Sequence, residues 1–307
     1  MAPLSERQPF TDAVFTRTGL DALPPTAMAR KAEEVGVAKA GMPAATTLAL
    51  SVLAGAFIAL GAIFATTVTA GGADLAYGVS RLLAGLAFSL GLILVVVAGA
   101  ELFTGNNLIV MAWASGRVPT ARLLRNWALV YVGNFAGAIA TAGIVFAGKQ
   151  YEFGKGAVGA QALSIAAAKT HLGFVQAIAL GALCNALVCL AVWLCYSART
   201  TTDKILAIIP PIAAFVAAGF EHSVANMYFI SFGLFVKSDE GFVASTRDLP
   251  GLSHLTWRSF LAENLVPVTI GNVLGGALMV GAIYWFVYLR GCRESESAPA
   301  QSPAQVH

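Results

Sequence analysis

Gly219-Phe220-Glu221-His222-Ser223-Val224-Ala225-Asn226 decides how this chain is read. It interrupts residues 205–236, an otherwise apolar window long enough to cross a bilayer, which takes ~20 residues. A charged side chain at mid-span costs at least ~2.5–3.5 kcal/mol, and backbone groups there must find partners. Such a stretch is tolerated only where protein or a water-filled cavity covers it. The window is therefore predicted to be a transmembrane helix broken at mid-membrane. A second stretch, Gly99-Ala100-Glu101-Leu102-Phe103-Thr104-Gly105-Asn106-Asn107, interrupts residues 82–116, where Glu101 is the only charge. It predicts a second broken helix.

Four more windows carry no charge at all: residues 40–73, 126–148, 172–198 and 264–289. The chain is 57% hydrophobic and 11% charged, against about 25% charge in soluble domains. Six spans follow, and the reading is an all-α integral membrane protein. The first 40 residues are polar and hold no signal-peptide core, so the first span is expected to direct insertion. An even number of spans puts both termini on one side. That side holds Arg7, Arg17, Arg30, Lys31, Lys39, Arg117, Arg122, Arg125, Arg199, Lys204, Arg290 and Arg293, most of the 19 Lys and Arg. Both termini are therefore expected to be cytoplasmic. The net charge of +3 says nothing of nucleic acid, and none is expected as a partner. Cys184, Cys189, Cys195 and Cys292 have no metal or disulfide spacing and read as packing residues.

Outward from the spans, residues 1–22 read as a flexible N-terminus and 291–307 as a disordered cytoplasmic tail. Residues 23–39 read as a cytoplasmic amphipathic helix, started by Pro24-Pro25 and stopped near Gly36. It is either an anchor or a gate. Residues 40–290 form the channel domain.

An internal repeat runs through that domain. Gly99-Ala100-Glu101 answers Gly219-Phe220-Glu221, and Asn106 and Asn226 each follow their Glu by five. Asn126 precedes Asn134 by eight, as Asn264 precedes Asn272, and the second of each pair stands in a Gly-Asn-x-x-Gly frame. Three spans per half is odd, so the halves must insert in opposite orientations, an inverted 3+3 repeat. Gly133/Gly137 and Gly271/Gly275 offer small faces for close helix contact.

At the breaks, half-helix N-termini aimed at the midplane would favour an anion. His222 can be neutral or charged near physiological pH, and its intramembrane setting favours a functional role. Thr104 could hydrogen-bond to it from the other break. Glu101, Glu221, Asn106 and Asn226 either tie the broken backbone or meet the solute. Lys169 lies near the outer mouth of the fourth span, either snorkelling or concentrating anions. Asn185 could face the pore.

These stretches resemble the formate/nitrite transporter family, most closely its formate channels, from Pro25 to Arg290. The resemblance rests on Met28-Ala29-x-Lys31-Ala32-Glu33-Glu34, Ala114-Ser115-Gly116-Arg117, Gly219 to Met227, Ser253-His254-Leu255-Thr256, and Asn264-Leu265-Val266-Pro267-Val268-Thr269-Ile270-Gly271-Asn272. It implies an aquaporin-like protomer in a homopentamer of a bacterial cytoplasmic (inner) membrane, each protomer with its own pore. It implies pore roles for His222, Thr104, Asn185 and Lys169. It further implies apolar constrictions at Phe88, Leu92, Leu102, Phe103 and Phe215, and support from Glu221, Asn226 and Asn272. Gly105-Asn106-Asn107 departs from the small or hydroxyl residues of formate channels there, which keeps nitrite and hydrosulfide open as substrates.

The expected function is a channel or proton-linked transporter for small weak-acid anions, formate first, with protons and the lipid bilayer as further partners. No cofactor or metal is expected. A neutral-solute channel of the aquaporin type would place Asn-Pro-Ala at both breaks, where this chain has Gly105-Asn106-Asn107 and Ala225-Asn226-Met227. An enzyme is not expected either: no His-Glu-x-x-His site occurs, and Ser223 adjoins His222 too closely in sequence for the two to point at each other on a helix.

Overall fold

The computed structural model describes residues 21–72, 75–246 and 249–290. Most of the expected flexible N-terminus and the whole expected tail, Cys292 included, lie outside those residues. The described residues form helices α1 (Pro25–Gly41), α2 (Ala44–Thr69), α3 (Tyr77–Ala98), α4 (Val110–Ala114), α5 (Thr120–Ala147), α6 (Ala157–Thr170), α7 (Phe174–Ser197), α8 (Thr201–Ala218), α9 (Ser223–Lys237) and α10 (Glu240–Ser245). A last helical run, α11 (Ser259–Tyr288), carries π-helical stretches at Ser259–Leu265 and Leu274–Ala282. Six of these, α2, α3, α5, α7, α8 and α11, are long and apolar enough to cross a membrane.

Prolines start several helices where their fixed φ fits and their missing N–H costs nothing: Pro25 opens α1, and Pro43 and Pro119 precede α2 and α5. Thr200 and Asp203 close a capping box on α8. α1 does not stop at Gly36. It runs on to Gly41, because Gly36 is buried against α4, where a Cβ would press on Ala112. Glycine at that position serves a close approach and not a helix end.

The two breaks begin alike. Gly99 ends α3 with φ +82°, and Gly219 ends α8 with φ +78°. That left-handed conformation suits glycine, and it turns the chain out of each helix. After the first break a 3-10 turn, Gly105–Ile109, leads into α4; after the second, α9 resumes at Ser223.

The small-residue frames set how closely the spans approach. A Cβ on Gly137 would run into the Val52 carbonyl of α2, and one on Gly275 into the Ala182 carbonyl of α7. Both spans therefore meet their neighbours backbone to backbone, the packing open to helices that lack a hydrophobic driving force in lipid.

Candidate pore between two cation-lined cavities

Each break is held by a closed ring of polar side chains. In the first, Lys39 of α1 pairs with Glu101 at 2.7 Å and donates to Asn106 Oδ1 at 2.9 Å. Asn106 donates to Glu101 Oε2 and to Asn126 Oδ1, and Asn126 donates back to the Lys39 carbonyl. In the second, Lys169 of α6 pairs with Glu221 at 2.8 Å. Asn226 donates to Glu221 Oε2 and to Asn264 Oδ1, and Asn264 returns to the Lys169 carbonyl.

A second tie repeats as well. Asn134 accepts from the Phe103 N–H and donates to the Ser51 and Glu101 carbonyls. Asn272 accepts from the Ser223 N–H and donates to the Gly181 and Glu221 carbonyls. The backbone freed by each break is thus satisfied by asparagine side chains. Glu101, Glu221, Asn106 and Asn226 act here as ties. Lys169 neither snorkels nor stands free: its ammonium holds Glu221 and lies 5.5 Å from the Phe229 ring, and its carbonyl accepts from Asn264.

Sequence reasoning missed Lys39. In a polar run beside Arg30 and Lys31 it looks like any solvated lysine, yet it is the counterpart of Lys169. It also passed over Asn126 and Asn264 as ring members, though their spacing had marked them as a pair.

The two breaks then meet. Thr104 is the residue capping the Gly105–Ile109 turn, His222 the residue capping α9, and Thr104 Oγ1 lies 3.0 Å from His222 Nε2. Both side chains are buried, at 0% and 2% exposure. His222 Nδ1 accepts from the Ala225 N–H at 3.0 Å. That nitrogen therefore carries no hydrogen, so the neutral ring holds its hydrogen on Nε2 and donates it to Thr104. The Thr104 hydroxyl hydrogen remains free to donate elsewhere.

On one side of this contact lies a cavity of about 430 Å³, lined by Lys31, Lys39, Lys204, Glu101, Leu92 and Leu102 among others. On the other lies one of about 420 Å³, lined by Arg81, Lys169, Glu221, Phe88, Phe215 and His222 among others. α3 borders both, its first turns the second cavity and its last turns the first, so the cavities lie at opposite ends of that helix. Among the described residues, positive side chains outnumber the single carboxylate in each. Arg81, which sequence reasoning did not single out, donates to the Val216 and Ala217 carbonyls at the end of α8.

Four of the five expected constriction residues border these cavities, Leu92 and Leu102 on one side and Phe88 and Phe215 on the other. The Phe88 and Phe215 rings meet edge to face at 5.7 Å, and Phe215 stacks on His222 at 5.9 Å. Phe103 lies elsewhere: its ring packs on Trp127 and Tyr131, against a separate apolar hollow. Asn185 borders neither cavity. It is fully buried and donates to the Thr104 and Asn272 carbonyls and to Asn107 Oδ1, joining the two breaks from behind. Cys184, Cys189 and Cys195 are buried, and Cys189 Sγ lies 3.4 Å from the Thr104 carbonyl.

A family model described as formate/nitrite transporter matches residues 26–286. The formate channel FocA of Escherichia coli (strain K12) is 45% identical over 273 residues, which cover 88% of this chain and 96% of that protein. FocA of Haemophilus influenzae is 39% identical over 263 residues, covering 85% and 93%. A solved chain described as a pentameric formate channel with formate bound superposes with a TM-score of 0.76 at 45% identity, covering 80% of this chain and 98% of that one. Another, described as an ion channel of the same family, gives 0.69 at 30%, covering 85% and 99%.

Proposed function

Because the chain belongs to the formate/nitrite transporter family, we propose that it moves formate across a bacterial cytoplasmic membrane, as a channel or proton-linked transporter. The observation that carries this reading is the Thr104–His222 contact between two cation-lined cavities. The named relatives support formate ahead of nitrite and hydrosulfide, and their pentameric kin supports a homopentamer with one pore per protomer. The matching rings around the two breaks support halves inserted in opposite orientations, and the excess of Lys and Arg on the side of the termini supports placing both in the cytoplasm.

Formate is the anion of a weak acid. Excess positive charge draws it into either cavity. Beyond lie apolar side chains, Leu92 and Leu102 or Phe88 and Phe215, where a bare charge is costly to bury. Between them two half-helices present their N-terminal ends, and His222 caps α9.

The resting ring donates to Thr104 and leaves the threonine hydroxyl free to meet a carboxylate oxygen. A proton arriving at His222 must go to Nδ1, where it displaces the Ala225 N–H. Losing that cap costs about 0.5–2 kcal/mol. The imidazolium is therefore a transient donor: it passes the Nε2 hydrogen through the Thr104 hydroxyl to formate, leaving neutral formic acid to cross the apolar side chains, and the cap returns once the ring hydrogen moves back from Nδ1 to Nε2. A standing imidazolium that stabilises the anion would have to keep the cap broken.

The test is formate flux into proteoliposomes holding a pH dye, with wild type beside His222→Asn. Asparagine caps a helix as well as any residue but does not titrate. Proton relay predicts that its flux falls and loses its dependence on pH. Flux through His222→Asn with the wild-type pH profile would overturn the relay.

A further inference from the structure

We propose that the cavity beside α1 seats a small phosphate-type dianion between Lys31 of α1 and Lys204 of α8, and that this anion latches α1 against the bundle. It is not a transported solute, so the inference goes beyond the transport reading. Lys31 Nζ donates one hydrogen bond, to the Tyr196 carbonyl at 3.0 Å, and has two more hydrogens to give. Among the described residues no carboxylate pairs with Lys31 or Lys204. Glu101, the one carboxylate among the described residues lining the cavity, is taken by Lys39. Two ammonium groups on two different helices thus face one cavity with no carboxylate partner of their own among the described residues.

The docking of α1 carries the repulsion between them. Burial, and after it the positive charges of Lys204 and Arg199, holds the Lys31 ammonium below the ordinary lysine range. A dianion on both lysines would replace that repulsion with two charge-assisted contacts. About 430 Å³ leaves ample room for it. It could not go further, because Leu92 and Leu102 lie beyond and burying two charges costs more than burying one. Formate, with one charge, balances only one of the two lysines.

Inorganic phosphate is the probe, applied to the purified full chain in lipid-free detergent, with α1 docking read by amide hydrogen exchange. At phosphate about ten times its dissociation constant, exchange across α1 is expected to slow about tenfold. Sodium chloride at matched ionic strength should not slow it. Lys31→Gln and Lys204→Gln should each lose the protection, and Lys31→Arg should keep it. Nanodiscs with phosphatidic acid distinguish the source: protection there, without free phosphate, places the same dianion in a lipid headgroup. Unchanged exchange with both probes overturns the proposal, as does equal protection in wild type and both glutamine variants. This readout is independent of formate flux, so its failure and that of the transport reading are told apart.

Discussion

Replacing Asn272 by leucine tests the claim that asparagines hold the broken backbone. The side chain is fully buried and makes three hydrogen bonds within the second half of the chain. The Gly181 carbonyl, inside α7, keeps its helical partner when Asn272 is gone. The Ser223 N–H and the Glu221 carbonyl do not, since both lie in the break. Two orphaned buried groups at about 1–3 kcal/mol each give a loss of about 2–6 kcal/mol. Leucine has the same branching and the same number of side-chain heavy atoms, so no cavity adds to this. Asn134→Leu strands the Phe103 N–H and the Glu101 carbonyl while Ser51 keeps its partner in α2, so the same loss is expected. The assay is reversible unfolding of each variant in mixed micelles. A loss below about 1 kcal/mol in either, near the average for one interhelical bond in lipid, would refute the reasoning. So would losses that differ by more than about 2 kcal/mol between the two breaks.

Lys169→Met is expected to destabilise by about 3–5 kcal/mol, because it leaves the buried Glu221 carboxylate unpaired; adding Glu221→Gln should recover part of it, and a double-mutant cycle with no coupling would contradict the pairing. Thr104→Val removes the hydroxyl that faces His222 with little change of shape, so formate flux should fall well below wild type while the melting temperature stays within a few degrees. Gly137→Ala and Gly275→Ala each drive a methyl into a neighbouring carbonyl, and folded yield by size-exclusion chromatography should collapse for both. Gly143→Ala, with open space around it, should be unaffected and serves as the control.

The spans and both breaks were legible because they rest on contrasts within one window: a glutamate among leucines has no bland reading. The pairing of Glu101 with Glu221 and of Asn106 with Asn226 was legible because the local spacing is the same in both halves. Lys39 was not. It lies 62 residues before its glutamate, whereas Lys169 lies 52 before its own. The corresponding spans, α2 against α7 and α3 against α8, and the connections between them all differ in length, and that hides the correspondence. Gly36 misled because a helix stop and a close contact demand the same residue. Phe103 was placed at the pore by resemblance, while its direction depends on how a non-helical loop turns, which no periodicity encodes; Asn185 sits inside α7, a helix apolar all round, so its periodicity does not say which face meets the pore. Asn107, buried and bonded to the Phe103 carbonyl and to Asn185, carried no signal except its difference from related chains.

The two polar rings have a consequence for how the protein is made. Lys39, Glu101, Asn106, Asn126 and Asn134 all precede residue 148, and their partners do too. Lys169, Glu221, Asn226, Asn264 and Asn272 all follow it, again with their partners. Neither half waits for the other to cover its buried charge. As the nascent chain leaves the ribosome, the first three spans can settle in the bilayer with the Lys39–Glu101 ring and the Asn134 tie already closed, while Thr104 and Asn107 await partners from the second half. What the later spans then add is the histidine opposite the threonine, so that contact is completed last, on a scaffold already secure in lipid.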